Sequence, residues 1–327
     1  MAFSRHIVVL ILQLMLVPLA FNLCNAQGLK YGFYSKTCPG VESIVRKTTA
    51  QFISKAPTLA APLLRMQFHD CFVRGCDGSV MLNSTKNNQA ERDAIPNQSL
   101  RGFQVINGVK SALENKCPGV VSCADIVALV ARDAVSMING PYWKVLLGRR
   151  DGRVSIMLEA LTLLPPPFAN ISTLKSQFAS VGLNAKDLVV LSGGHTIGTS
   201  HCFAFTNRMY NFTGNGDADP TMDPNYIAGL KLKCSPTDVT TLVEMDPGSF
   251  KTFDEKYYTL VAKRRGLFQS DSALLDDIET RAYVKRQALT HGKTFFKDFA
   301  KSMVKMGKIG VLTGQAGEIR KHCDFVN

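Results

Sequence analysis

"RMQFHDCFVRGCDGS", residues 65–79, puts an arginine, a histidine, two aspartates and two cysteines into one short segment. Arg65 and His69 stand four apart, so a helix through them would bring both to one face. Phe68 lies beside them, while Leu64 and Cys71 occupy an adjoining face that would pack inward. A permanent cation next to a titratable imidazole suits an anionic or peroxide-like ligand. An ordinary surface Arg–His pair is the alternative, and these two residues alone favour it. Beyond His69 the chemistry changes to oxygen. Asp70, Val73, Gly75, Asp77 and Ser79 offer carboxylates, carbonyls and a hydroxyl in a tight loop, the donor set calcium takes. An EF-hand is excluded, because its twelfth position counted from Asp70 is Met81 rather than Glu. A solvated acidic turn competes evenly with calcium at this point.

Outward from this segment, the chain of 327 residues is 46% hydrophobic and 20% charged, which builds a core and argues against disorder. Residues 1–26 read as a secretory leader: Arg5, then the apolar run "IVVLILQLMLVPLAF", then "CNA" ending at Ala26. A membrane anchor is the rival, but the run is short for a span and holds Pro18. The mature chain is expected to begin at Gln27, and no later stretch is long and apolar enough to cross a bilayer. Removing Arg5 with the leader leaves 37 basic against 26 acidic residues, a formal charge of +11. The basic residues are dispersed and no nucleic-acid module is present, so a solvated basic surface outweighs any specific acidic partner.

Secretion changes the reading of the cysteines. Cys24 leaves with the leader, and the remaining eight, an even set, imply disulfides whose pairing spacing leaves open. Zinc is disfavoured because no CxxC occurs. Sequons at Asn83, Asn97, Asn170 and Asn211 are candidate glycan sites.

Helical periods dominate. Val41, Ile44, Val45, Phe52 and Ile53 recur at helical spacing, and "TFFKDFAKSMVKMG" puts Phe295, Phe299, Met303 and Met306 on one face. "SCADIVALVARDAVSMING" opens with Ser122 and Asp125 in capping-box positions and closes near Gly140. "YWKVLLGRR" is the best candidate for a short strand, and "LPPPF", residues 164–168, marks a rigid loop. A second histidine stands in "DLVVLSGGHTIG", where Gly193 and Gly194 would let a bulky group approach His195. It reads as a metal or haem-iron ligand, or more often as a histidine satisfied within the core. "DPGSFKTFDEKYY" supplies further oxygen donors in Asp246, Ser249 and Asp254.

Together these segments resemble the class III secretory haem peroxidases of plants. "RMQFHDCFVRGCDGS" is similar to the distal motif of that family and "LSGGHTIG" to its proximal motif; "VSCADI", "GRRDGR" and "FDEKYY" are further landmarks in the same order. The resemblance covers essentially all of residues 27–327, and it overturns the bland readings of the separate residues. It implies a mainly α fold, the plant haem-peroxidase fold, with two helical halves sandwiching one haem b and very little β structure.

The resemblance also assigns roles. His195 would bind the haem iron and Asp271 would accept a hydrogen bond from its other ring nitrogen. His69 would be the acid–base group, Arg65 would stabilise developing negative charge, and Asn97 would raise the basicity of His69. Phe68 would keep bulky donors from the iron, and the carbonyl of Pro165 would place phenolic donors. A distal calcium would take Asp70, Val73, Gly75, Asp77 and Ser79, with Glu91 through water. A proximal one would take Thr196, Asp246, Ser249, Thr252 and Asp254. The implied disulfides are Cys38–Cys117, Cys71–Cys76, Cys123–Cys323 and Cys202–Cys234. Asn97 would then be the sequon least open to glycosylation. The implied activity is reduction of hydrogen peroxide to water with one-electron oxidation of phenols. A monomer is expected, in the extracellular wall space, where a basic charge favours anionic polysaccharide. Only four residues follow Cys323, without the extension that sends some relatives to vacuoles. Three positions depart from the usual pattern: Gln67 for a frequent His, Ser249 for Thr, and Met245 for Phe. A secreted metal-dependent hydrolase and a catalytically silent wall protein are the rivals; the first lacks an HExxH-type cluster, and the second fits poorly with both Arg65 and His69 present.

Overall fold

The computed structural model describes residues 28–327, so the leader and the start at Gln27 lie outside the described residues. Helices dominate. In the first half they are α1 (Val41–Ile53), α2 (Ala60–Phe72), α3 (Ile95–Gln98), α4 (Phe103–Lys116), α5 (Cys123–Met137) and α6 (Met157–Leu163). In the second they are α7 (Ile171–Ser180), α8 (Ala185–Ser192), α9 (Asn207–Tyr210), α10 (Pro224–Lys231), α11 (Lys256–Ala262), α12 (Gln269–Ala273), α13 (Ile278–Leu289) and α14 (Phe295–Met306).

The first half is organised around α5, which is buried from Cys123 to Val135 and packs against α1, α2 and α4. Its N-cap is Ser122, whose hydroxyl accepts from the Asp125 amide at 3.2 Å. The reciprocal half of the expected capping box is missing. Asp125 turns its carboxylate instead to Tyr34, the Gly148 amide and Arg149, which locks α5 to the segment after it. In the second half α8 packs on α13 and α14, and α11 on α13. The expected face of α14 is the buried one: Phe295, Phe299, Met303 and Met306 are each at most 2% exposed. Each such side chain contributes roughly 1.5–3 kcal/mol by leaving water.

The strand expectation for "YWKVLLGRR" fails. Its backbone bonds go to single partners, Lys30 with Leu147 and Arg150 with Leu312, so it ties the two ends of the described chain together without forming a sheet. The strands that do form among the described residues are Thr199–His201 (β1) and Leu242–Glu244 (β2), an antiparallel pair with Ser200 opposite Val243. They border a small second core of Phe205, Met209, Met222, Leu230 and Met245, inside which Cys202 and Cys234 are joined. The other disulfides are Cys38–Cys117, Cys71–Cys76 and Cys123–Cys323, so the four pairs are those the resemblance implies. Cys123–Cys323 closes a separation of 200 residues, and cross-links of this kind typically contribute roughly 2–4 kcal/mol by restricting the unfolded chain.

Candidate active site

Helix α2 carries Arg65 and His69 one turn apart, and Arg65 Nε donates to His69 Nε2 at 3.0 Å. A donor on Nε2 means that nitrogen is the acceptor and the ring proton sits on Nδ1. There it meets Asn97 Oδ1 in a short contact, on the turn of helix that forms α3. Asn97 is itself fixed, because its amide nitrogen donates to the Glu91 carbonyl at 2.7 Å. Burial, and then the Arg65 charge, push the His69 imidazole well below its ordinary range, while Asn97 pulls the other way. His69 is therefore neutral at neutral pH, with Nε2 ready to accept a proton. Arg65 is anchored by Ser99 Oγ at 2.9 Å and the Pro96 carbonyl. Burial lowers its guanidinium to about 10, which still leaves it charged at neutral pH. Phe68 is half-buried and edge-on to His69, with ring centres 5.4 Å apart. Gln67 is buried on another side of α2, its amide oxygen without a partner among the described residues.

His195 sits in the helical turn after α8. Its Nδ1 meets Asp271 Oδ1 at 2.8 Å, and Asp271 is 1% exposed whereas the His195 side chain is 38% exposed. The ring edge bearing Nε2 is thus the open one. Asp271 also accepts from Tyr257 Oη at 2.8 Å and from the Phe268 amide at 2.8 Å. Burial acts to raise this carboxyl, but its pairing with His195 and these hydrogen bonds outweigh it and hold it below the usual range. An imidazole with a fixed carboxylate behind it and a free nitrogen in front suits a haem-iron ligand, so the proximal residues fit that group.

The oxygen-rich segments gather as two separate clusters. In the first, Asp70 Oδ1, Ser79 Oγ and both carboxylate oxygens of Glu91 are buried without hydrogen-bond partners among the described residues. Burial and then the Asp77 charge push Asp70 well up; burial raises Asp77; and burial followed by Asp70 takes Glu91 to about 9. Buried unpaired oxygens are costly, and a divalent cation would satisfy them, so this cluster fits calcium. The loop needs Gly75: φ is +105°, and a Cβ would lie 2.5 Å from the backbone of Gly310. No group of three or more His, Cys, Asp or Glu in metal-holding geometry occurs among the described residues. That does not count against this donor set, which relies on carbonyls and a hydroxyl beside its carboxylates.

In the second cluster Thr196 Oγ1 donates toward Asp246 at 3.3 Å and Asp254 at 3.1 Å, and Ser249 Oγ bonds Asp254. Thr252 closes the same turn through its amide to the Ser249 carbonyl. Burial, then Asp254, raises Asp246 to about 6. Met245, buried beside them, belongs to the second core.

Pro165 is half-buried, in the loop between α6 and α7. The Ser270 amide donates to the Pro167 carbonyl at 2.9 Å, so this loop is pinned beside the turn carrying Asp271. Sequence reading missed Pro96 and Ser99 as holders of Arg65, and Tyr257 as a partner of Asp271. Tyr257 lay inside a quoted motif, but nothing in its spacing points to a carboxylate fourteen residues on.

The sequence model of the family described as Peroxidase matches residues 45–290. Over 327 residues, all of both chains, the protein is 63% identical to Peroxidase 27 of Arabidopsis thaliana. It is 61% identical to Peroxidase 56 of the same plant over 308 residues, 94% of this chain and 93% of that one. It is 59% identical to Peroxidase 1 of Oryza sativa subsp. japonica over 332 residues, all of both chains.

Proposed function

The chain belongs to the peroxidase family, and from that premise we propose how its own residues carry out a haem-dependent reduction of hydrogen peroxide, with phenols as electron donors. One observation carries the reading. Two histidines each have Nδ1 pinned, one by Asn97 and one by Asp271, so each presents Nε2.

His195 would hold the haem b iron, one per chain, with Asp271 making the imidazole a stronger electron donor. When bound, the haem supplies the iron centre at which the peroxide O–O bond is broken. His69 Nε2 takes a proton from the attacking peroxide oxygen and returns it to the departing oxygen, which leaves as water. Asn97 keeps the tautomer that makes this possible. Arg65, held by Ser99 and Pro96, stabilises the negative charge that develops as the bond breaks. Phe68 limits access, and the Pro165 carbonyl, which bonds no described residue, accepts the hydroxyl of a small phenol. Asp70, Val73, Gly75, Asp77 and Ser79, with Glu91 through water, would hold one calcium. Thr196, Asp246, Ser249, Thr252 and Asp254 would hold another. Asp70 follows His69 and Thr196 follows His195, so each ion steadies the backbone beside one histidine.

Residues 27–327 act as one peroxidase domain, a monomer secreted to the wall space, its basic charge favouring anionic polysaccharide. No helix among the described residues is long and apolar enough to cross a membrane. Asn97, 1% exposed, carries no glycan, whereas Asn170 and Asn211 are exposed. Peroxide-dependent oxidation of guaiacol by the purified protein, together with a Soret band, tests the function. A Soret band without turnover would leave the silent scaffold standing, and neither would reject the site.

A further inference from the structure

Behind His195 runs a line of tyrosines that the peroxide chemistry does not use. Tyr257 meets His195 edge-on with ring centres 5.9 Å apart. Tyr258 meets Tyr257 at 5.2 Å, and Tyr283 on α13 meets Tyr258 at 5.6 Å. All three are buried, at 2%, 0% and 5% exposure. The far end reaches the surface. The exposed Arg286 stands 5.0 Å over the Tyr283 ring. Tyr283 Oη donates to Asp298 Oδ2 at 3.0 Å, and Asp298 Oδ1 pairs at 3.0 Å with Lys186, whose side chain is 48% exposed.

Tyrosine gives up an electron far more readily than phenylalanine or an aliphatic side chain, but in a buried site the radical comes to rest only where the ring can also lose its proton. The three hydroxyls differ in what can receive it. Tyr257 bonds Asp271, and a proton placed there would weaken the hold on His195. Tyr258 bonds the Val189 carbonyl at 3.1 Å, which is no base. Tyr283 bonds Asp298, which is only 8% exposed but which Lys186 and its other hydrogen bonds keep ionised against burial. Lys186 itself reaches solvent, so this is the one hydroxyl of the three with an ionised carboxylate and an outlet toward water beyond it. At rest each keeps its proton, because burial foremost pushes all three phenols up. The line therefore has one favourable end.

We propose that Tyr257, Tyr258 and Tyr283 form an electron relay that carries one oxidising equivalent from the peroxide-treated centre at His195 outward to Tyr283. The proposal rests on His195 being the haem ligand. Reduction of one hydrogen peroxide to two waters takes two electrons and two protons. The relay supplies one electron: the Tyr283 O–H bond breaks, its proton goes to Asp298, and a neutral tyrosyl radical remains. One phenolic donor later returns an electron and proton to Tyr283 as a hydrogen atom, and a second gives its electron and proton at the Pro165 loop; that proton and the one released through Asp298 are the two that the waters take up. Peroxide met without a donor thus oxidises Tyr283 in preference to side chains lining the pocket.

The test uses the mature holoenzyme, mixed with one equivalent of hydrogen peroxide without donor and frozen. Paramagnetic resonance, with spin-trap labelling and peptide mapping, locates the radical, while the haem absorption change is followed in parallel. The relay predicts a neutral tyrosyl radical at Tyr283. It is lost in Tyr283→Phe, and largely lost in Tyr258→Phe, although both variants give the normal haem response to peroxide. Asp298→Asn, which removes the proton acceptor and keeps the hydrogen bond, should lower the yield as well. A radical trapped on a different residue in the wild type, or an undiminished Tyr283 radical in Tyr258→Phe, overturns the relay and leaves the site reading intact. No haem response in the wild type overturns the site reading and the relay with it.

Discussion

The two histidines at the heart of the molecule are the same side chain in opposite settings. His69 is buried, and its Nδ1 faces the neutral amide of Asn97. His195 is more open, and its Nδ1 faces the ionised carboxylate of Asp271. A neutral acceptor fixes a tautomer while leaving the ring weakly basic, able to take a proton and to give it back. A charged acceptor presses electron density through the ring toward whatever the other nitrogen binds. The oxygen clusters beside them differ in the same sense. Beside His69 the carboxylates of Asp70 and Glu91 keep oxygens unpartnered among the described residues, whereas beside His195 hydroxyls of Thr196 and Ser249 already engage Asp246 and Asp254. Identical chemistry at the first atom is thus set apart by the second.

The largest expected effect tests the distal side of that comparison. His69→Ala should slow the reaction with peroxide by about 10²–10⁴-fold, the usual worth of general acid–base catalysis, while haem is still retained through His195. Stopped-flow mixing decides it; a near-normal rate means another group moves the proton. Calcium removal comes next. Loss of an ion frees the backbone beside a histidine, and a displacement of ~1 Å costs on the order of 10²-fold. The two ends should fail differently: Asp70→Asn should register in the peroxide rate, and Asp254→Asn in the haem spectrum. Calcium content, spectrum and rate before and after chelation check this, and full activity in a verified calcium-free sample would break it.

Smaller effects separate the two acceptors. Asp271→Asn keeps the shape and removes the charge, and such partners of metal-bound histidines are typically worth about 10–100-fold in activity or metal affinity. Its ferric–ferrous potential should rise, as the iron loses electron density, and a redox titration reads this. Asn97→Ala removes the neutral hydrogen bond to His69 together with the side chain's anchor on the Glu91 carbonyl; only the first acts on the imidazole, and at about 1 kcal/mol net the peroxide rate should fall by roughly tenfold or less. If Asn97→Ala costs more than Asp271→Asn, the contrast between neutral and charged acceptors is the wrong account.

Much of this site was legible in the sequence because its motifs are local. Arg65, His69 and, apart from Glu91, the first oxygen cluster lie within one helix and the loop after it, so helical spacing already puts the key pair on one face. Helix α14 was legible for a similar reason, since its apolar face repeats over a dozen residues. What failed depended on distant partners. The strands Thr199–His201 and Leu242–Glu244 are too short to show alternation, and pairing across the second core defines them. "YWKVLLGRR" has a strand's composition, yet its bonds go to Lys30 and Leu312, far off in sequence. Asp125 was expected to cap its own helix, but the buried Arg149 and Tyr34 compete for the same oxygens and win.

The buried Arg320 has a consequence in time. Its guanidinium donates to the Gly78 carbonyl across a separation of 242 residues, and Asp151 binds its backbone amide. During synthesis, at about 5–20 residues per second, the loop of residues 70–79 would therefore exist for roughly 10–50 s before Arg320 is made. Through that interval the carbonyls Arg320 will satisfy have only water or a chaperone to face, and the adjacent oxygen donors lack their final brace. The distal half is begun early and finished late, so a ribosome-bound chain shorter than this point should hold its disulfide at Cys71–Cys76 but not a settled distal loop.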